Sequence, residues 1–285
     1  MEIRRASGED MGDAIGVFME AASYMVRRYS PEQAADFPGD DPARFLPMWG
    51  HLLDTGAMWI ADDPGPVGIA SAYLRDGWWF LALLFVRPGA HGRGIGSALL
   101  DEALAWGRGA AAFTVVASPT PGAQALYLRR SMFPVWVQQQ WEGPAGEAEP
   151  PEGLAPLLPS DEPWVDALDR EVRGIARPED HAFWRRHGEG LALRRGDDPL
   201  GYVYASASGR VGPAAAWDAA DQSALLRAAR SRVRGEVVLQ VPSANWVLLR
   251  EVTKAGLRLT GSSTFMSSRP MPDGSRYVPA GGALA

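Results

Sequence analysis

The chain has 285 residues, a formal net charge of −6 and an apolar fraction of 46%, enough for two domains of ordinary size with cores of their own. It has no cysteine, which excludes disulfides, thiolate metal sites and a cysteine nucleophile. The acidic balance, with no basic stripe interleaved with aromatics, argues against nucleic acid as a partner. No apolar run reaches the roughly 18 residues of a membrane span, and Met-Glu-Ile-Arg-Arg is not the apolar stretch of a secretory leader. The expectation is a soluble, cytoplasmic protein with no membrane partner.

Glu2 to Ala6 reads as an opening strand, and Glu9 to Tyr29 as an amphipathic helix with Met11, Ile15, Phe18, Met19, Ala22, Met25 and Val26 on one side. Ser30 to Asp41 is loop, and a second helix is predicted from Pro42 to Leu53. Three strands follow, Ala57 to Ala61, Val67 to Leu74 and Trp78 to Val86, with turn sequences Asp62-Asp63-Pro64-Gly65 and Arg75-Asp76-Gly77 between them. Trp78 and Trp79 adjoin on one strand and face opposite ways, so one of them belongs to the core. Beyond Pro88 a glycine-rich turn leads into a helix over Ile95 to Trp106, whose Leu99, Leu100, Ala103, Leu104 and Trp106 are available for burial. A strand (Phe113 to Ala117), a helix (Gly122 to Arg130) and a strand (Phe133 to Gln140) complete the first half. Gly143 to Pro159, dense in Pro, Gly and Glu, breaks all periodicity and reads as a linker.

The order then recurs. Leu200 to Ala205 matches Val67 to Ala72, Val237 to Val241 matches Phe113 to Ala117, and Val252 to Leu257 matches Tyr127 to Met132. Where the first half has its glycine turn, the second has Ala214 to Ser223, and Val252 stands in place of Tyr127. Both changes remove polar or anion-binding capacity from the same place. The chain therefore divides into residues 1–143, a linker over 144–159, and a diverged copy over 160–285 that keeps the scaffold without the ligand.

The chemistry concentrates in the turn His91-Gly92-Arg93-Gly94-Ile95-Gly96-Ser97. Strand, glycine loop and helix N-terminus in that order bring free N–H groups and the positive end of a helix dipole to one spot, where a phosphate fits. The plainer alternative is a tight strand-to-helix turn, but three glycines in alternation exceed what a turn needs.

This element order, with His91 to Gly96 matching an Arg/Gln-x-x-Gly-x-Gly pattern and Pro121 to Tyr127 matching a second signature, resembles the GNAT acetyltransferase family over Glu2 to Trp141. The tandem arrangement with a diverged second half resembles its double-domain members. The resemblance implies an α/β fold of two GNAT-like domains, each a mostly antiparallel sheet flanked by helices. It implies acetyl-CoA as donor, its pyrophosphate on His91, Gly92, Arg93, Gly94, Ile95, Gly96 and Ser97 and its pantetheine arm along Leu84, Phe85 and Val86. Thr120 adds a contact, and Tyr127 serves as the general acid that protonates the leaving thiolate. A core tyrosine on an amphipathic helix is the alternative for Tyr127.

Three features depart from the pattern. His91 stands where Arg or Gln is usual, with Arg93 as a substitute source of charge; Thr120 stands where Asn is frequent, and the second copy keeps Asn245. Phe80 and Ala82 occupy strand positions that in some members hold a base, leaving Glu20, Asp76 and His51 as remote candidates. Tyr24, Tyr29 and Phe80 are the candidates for the acceptor site. His181 and His187 lie on a helix expected to be solvated, and no metal site is expected. The resulting expectation is transfer of an acetyl group to a small-molecule primary amine, by a monomer with an internal pseudo-dimer or by a homodimer. A longer acyl group, a hydroxyl acceptor, or a non-catalytic acyl-CoA-binding protein are the alternatives.

Overall fold

The computed structural model describes residues 1–29 and 41–285, so nearly all of the loop expected from Ser30 to Asp41 lies outside the described residues. By compactness the chain divides into Met1–Ala111 and Ala112–Ala285, a different place from the boundary read from element order.

The first unit holds β1 (Glu2–Arg5), α1 (Met11–Tyr29), α2 (Leu46–Thr55), β2 (Gly56–Asp62), β3 (Pro66–Arg75), β4 (Trp78–Val86) and α3 (Ile95–Trp106). Its four strands pair antiparallel in chain order. The β3–β4 hairpin closes on Asp76 and Gly77, both at positive φ (46° and 78°), the two-residue turn whose twist suits antiparallel strands. A short 3₁₀ turn, Gly8–Asp10, leads into α1, and Asp10 accepts the Ser7 N–H (2.8 Å) and a guanidinium N–H of Arg4 (2.7 Å). α1 buries Ala14, Ile15, Val17, Ala21 and Ala22, and α2 buries Trp49 and Leu52.

α3 packs on β3 because Gly68 has no side chain: a Cβ there would lie 2.9 Å from Leu99 and 3.1 Å from Ile95. Leu99, Leu100 and Ala103 are buried as predicted, while Trp106 stays exposed and meets Trp59 edge-on. Of the adjoining tryptophans Trp79 is the core one, fully buried, with its indole N–H donated to the Ala103 carbonyl at 3.1 Å.

The second unit holds β5 (Ala112–Ala117), α4 (Pro121–Leu128), β6 (Phe133–Pro144), β7 (Leu154–Pro156), α5 (Glu162–Arg173), α6 (Pro178–His187), β8 (Gly188–Arg195), β9 (Asp198–Ser206), β10 (Val211–Ala216), α7 (Ala219–Arg230), β11 (Glu236–Pro242), α8 (Trp246–Lys254), β12 (Arg258–Ser267) and β13 (Tyr277–Val278). From β7 to β12 these repeat, element for element, the series from β1 to β6. The fold is thus a mixed α/β tandem of one repeated element series with mostly antiparallel sheets.

Within this unit the strands run β5-β12-β6-β11 in one group and β13-β10-β9-β8-β7 in the other. β12 lies between β5 and β6, with Phe265 opposite both Val116 and Trp136 and stacked on Trp136 at 4.5 Å between centroids. The expected linker is partly structured: β6 continues to Pro144, and β7 pairs Leu154 with Leu193 of β8. A core of Leu191, Leu193, Val203, Leu225, Leu226, Leu239, Leu248 and Val252 lies under α7 and α8.

Candidate acyl-donor site

β4 delivers the chain to the loop. Its pairing with β3 slips between Ser71↔Leu83 and Ala72↔Leu81, so Ala82 is an extra residue. Such a bulge takes backbone polar groups out of the ladder and re-aims the strand, here two residues before Leu84. Nothing in the local sequence announces it. Leu84, Phe85 and Val86 beyond the bulge are each half-buried.

After a 3₁₀ turn at Pro88–Ala90, the loop from His91 to Gly94 is exposed. Gly92 and Gly94 adopt φ of +79° and +81°, a region L side chains rarely enter, and nothing lies within 4 Å of where a Cβ on either would be. Gly94 is the N-cap of α3, and the Ala98 N–H donates the first helical bond to the Gly94 carbonyl at 3.0 Å. The N–H groups at the start of the helix, those of Ile95 and Gly96, are ones a helix cannot use internally. An open glycine cradle, donors and the positive end of a twelve-residue helix therefore coincide. These residues fit a diphosphate such as that of acetyl-CoA.

The two basic side chains of the loop are directed elsewhere. His91 Nε2 lies 2.9 Å from the Val86 carbonyl oxygen, so that nitrogen is the donor, and Arg93 is ion-paired with Asp63. Arg93 as substitute phosphate charge is thus not what this geometry presents; the backbone is. Arg87 braces the same end of β4, donating to the Pro66 carbonyl at 2.8 Å and pairing with Glu20 of α1.

α1 brings aromatic groups to this end. Tyr24 meets His91 edge-on at 5.7 Å between centroids, and the Tyr24 hydroxyl accepts from Arg28 at 3.4 Å. Phe18 touches Phe45, Trp49 and Phe85 at centroid distances of 4.9, 5.5 and 4.9 Å. Tyr29 is the last residue of α1. Phe80, by contrast, is 2% exposed and stacked on Tyr73 at 5.1 Å, which makes it core rather than an acceptor wall.

The remote base candidates separate in the same way. Asp76 sits in the hairpin turn at the opposite end of β4, about 25 Å from Leu84 at ~3.3 Å per residue. Glu20 is engaged by Arg87, and His51 is buried in α2.

In the second unit, Thr120 is the N-cap of α4, its hydroxyl accepting the Ala123 N–H at 3.4 Å and lying 3.1 Å from the Ser118 hydroxyl. Asn245 plays the same part for α8, accepting from Leu248 N–H at 3.1 Å, so the two N-caps correspond as the sequence alignment of the copies requires. Tyr127 is 5% exposed, and burial pushes its phenol above the ordinary value of 10. Its counterpart Val252 is equally buried. Where α3 starts on Gly94, α7 starts on Asp218, whose own carboxylate accepts the Ala220 N–H at 2.7 Å. An anion supplied by the chain already satisfies that helix end.

His181 is not on a solvated face. It is fully buried, with Nε2 3.1 Å from Asp169 and Nδ1 3.1 Å from the Tyr204 hydroxyl, while His187 is exposed. Asp169 also accepts from Tyr202 (2.5 Å) and Arg177 (3.3 Å). Burial alone would raise this carboxyl; Arg177, His181 and Tyr202 reverse that and lower it to about 2. Helical spacing gives no sign of these partners, which lie on α5, on α6 and its N-cap Arg177, and on β9.

Residues 23–132 match the profile of the Acetyltransferase (GNAT) family, a segment that contains both the glycine loop and Tyr127. The family match lies within these residues, less than half of the chain. Among solved structures, a candidate acetyltransferase from Pyrococcus horikoshii superposes with a TM-score of 0.81 at 18% identity, covering 100% of this chain and 95% of its own. A GCN5-related N-acetyltransferase from Sphaerobacter thermophilus gives 0.60 at 17% identity, covering 96% and 98%. A tandem GNAT protein from the clavulanic acid biosynthesis pathway gives 0.58 at 16% identity, covering 94% and 99%. At these identities the likeness is one of fold, and it extends over both copies. No curated protein matches the chain in sequence. Among the described residues no helix is long and apolar enough to cross a membrane, and no group of three His, Asp or Glu could hold a metal ion.

Proposed function

We propose that this chain belongs to the GNAT family and is an N-acetyltransferase that moves the acetyl group of acetyl-CoA to a primary amine of a small molecule. The glycine loop carries the reading: Gly92 and Gly94 at positive φ, open above, at the start of α3. In this reading backbone N–H groups from Gly92 to Ser97 hold the pyrophosphate, and the pantetheine arm runs along Leu84 to Val86. The neutral amine attacks the thioester carbon directly. Backbone N–H groups beyond the Ala82 bulge face the oxyanion, the C–S bond breaks, and the sulfur takes a proton from Tyr127 while the amine gives up its own to solvent. Burial keeps the Tyr127 phenol protonated at neutral pH but makes it a weaker acid, so the role rests on its place in the second signature and not on this shift. Tyr24 and Arg28, beside His91, are the proposed edge of the acceptor site.

One copy is proposed to be active. The second lacks the glycines, carries Val252 for Tyr127, and closes its helix start with Asp218. β4 has no ionisable side chain, so no base sits on that strand. That favours an amine arriving neutral, and it is also the observation behind the rival reading, an acyl-CoA-binding protein without catalysis.

A thermal-shift titration with acetyl-CoA tests the donor reading. Stabilisation that saturates, and that disappears in Gly94→Val, is expected. No shift with acetyl-CoA or a longer acyl-CoA would overturn the reading.

A further inference from the structure

β10 and β11 meet in parallel at a single bridge, Arg210↔Val238, reinforced by the Val238 N–H bonded to the Gly209 carbonyl at 2.9 Å. Beyond it β10 would present an open edge, a template for another extended strand. The chain fills that edge itself: β13 pairs antiparallel there, Ala214 with Val278 and Ala215 with Tyr277.

The rest of the segment is inserted, not draped. Tyr277, Val278, Ala280, Leu284 and Ala285 are all no more than 8% exposed. Gly212 makes room, since a Cβ there would lie 2.6 Å from the Pro279 carbonyl oxygen. Two buried guanidinium groups hold the far end: Arg177 donates to the Leu284 carbonyl at 3.4 Å, and Arg173 to that of Ala285. Both lie against the Tyr277 ring, 5.3 and 5.7 Å from its centroid. Arg177 is fixed in turn by Asp169.

We propose that Tyr277–Ala285 is an intramolecular strap: it occupies, in cis, the strand-addition slot that opens where β10 leaves β11. Being laddered to β10 only at Ala214 and Ala215, while β11 is laddered to β6 along its whole length, it opens as a unit independent of the β6–β11 ladder. The second copy is thereby shut by its own chain and offers no edge to an extended ligand. This inference rests on the fold alone and stands apart from the acetyl-transfer reading.

Calorimetry with a synthetic peptide of residues 273–285 tests it, using the full chain and a chain truncated after Pro272. The full chain is expected to ignore the peptide. The truncated chain is expected to bind it one to one and to recover its lost thermal stability. Peptide binding by the full chain as strong as by the truncated one would overturn the proposal, as would a truncated chain of unchanged stability that ignores the peptide.

Native-state hydrogen exchange on the unaltered full chain supplies a second reading that needs no folded truncation. Amides of the β10–β13 pair should exchange at least tenfold faster than those of Val237 to Val241 in β11. Exchange of both sets only in one global opening would contradict an independent strap.

Discussion

His91 turns Nε2 back onto the Val86 carbonyl, 2.9 Å away, so the one imidazole in the glycine loop locks the end of β4 instead of reaching over the loop mouth. With Arg93 held by Asp63, the donors left for a phosphate are backbone N–H groups. Binding energy should then depend on loop conformation more than on loop charge. Gly94→Ala forces a side chain into φ of +81°, at a cost of about 1–2 kcal/mol. It is expected to weaken acetyl-CoA about tenfold or more in calorimetry, whereas His91→Gln should change the dissociation constant by less than about threefold. The reverse ranking would return the charge to the centre of the site.

Tyr127 separates binding from chemistry. If its phenol protonates the leaving sulfur, Tyr127→Phe should lower kcat by roughly 10²–10⁴-fold, the range for a positioned general acid. Acetyl-CoA affinity and melting temperature should stay close to those of the parent, since Phe preserves the packing at this buried position. Equal kcat in the two proteins would make Tyr127 a core residue only.

The Asp169 cluster makes a pH-dependent contribution to stability. Its carboxyl titrates at about 2 when folded and near 3.9 in an unfolded chain. A depressed folded value means the contribution is fully present above pH ~4 and is lost as pH falls from there toward ~2, roughly 2–3 kcal/mol in all for a carboxyl shifted from near 3.9 to about 2. Urea titrations between pH 6 and 2 should show this loss, and Asp169→Asn should be less stable at pH 6 and flatter over the acid range. A variant with the parent's acid slope would place the dependence on other carboxylates.

The hairpin turn gives a purely structural check. Gly77 sits at φ of +78° between strands that carry the site at their other end. Gly77→Val should lower stability by about 1–2 kcal/mol in chemical denaturation, because a β-branched residue is strained at positive φ. Acetyl-CoA affinity at low temperature should be unchanged.

Much of this molecule was legible because its signals are local. The helix predicted over Ile95 to Trp106 has those bounds, and Asp76-Gly77 is the turn its residues demand. The recurrence of elements was visible in short matched runs, since buried strands and caps reuse the same residue types at the same places. The failures are contacts between residues far apart in sequence. No local feature of Arg258–Ser267 says that β12 enters between β5 and β6, or that Leu154–Pro156, inside a proline-rich stretch, finds β8 as partner. His181 looks solvated by periodicity, and only the fold brings Asp169 and Tyr204 to its two nitrogens. Phe80 reads as an acceptor-site candidate until the fold shows it buried and stacked on Tyr73.

The most direct test of acetyl transfer is release of CoA thiol by the purified protein, with acetyl-CoA as donor and a panel of small primary amines. At least one amine should accelerate thiol release well above the rate with water alone, and Tyr127→Phe should suppress that acceleration. Saturable acetyl-CoA binding with no acceleration by any amine would contradict the enzyme and leave a protein that only binds the thioester.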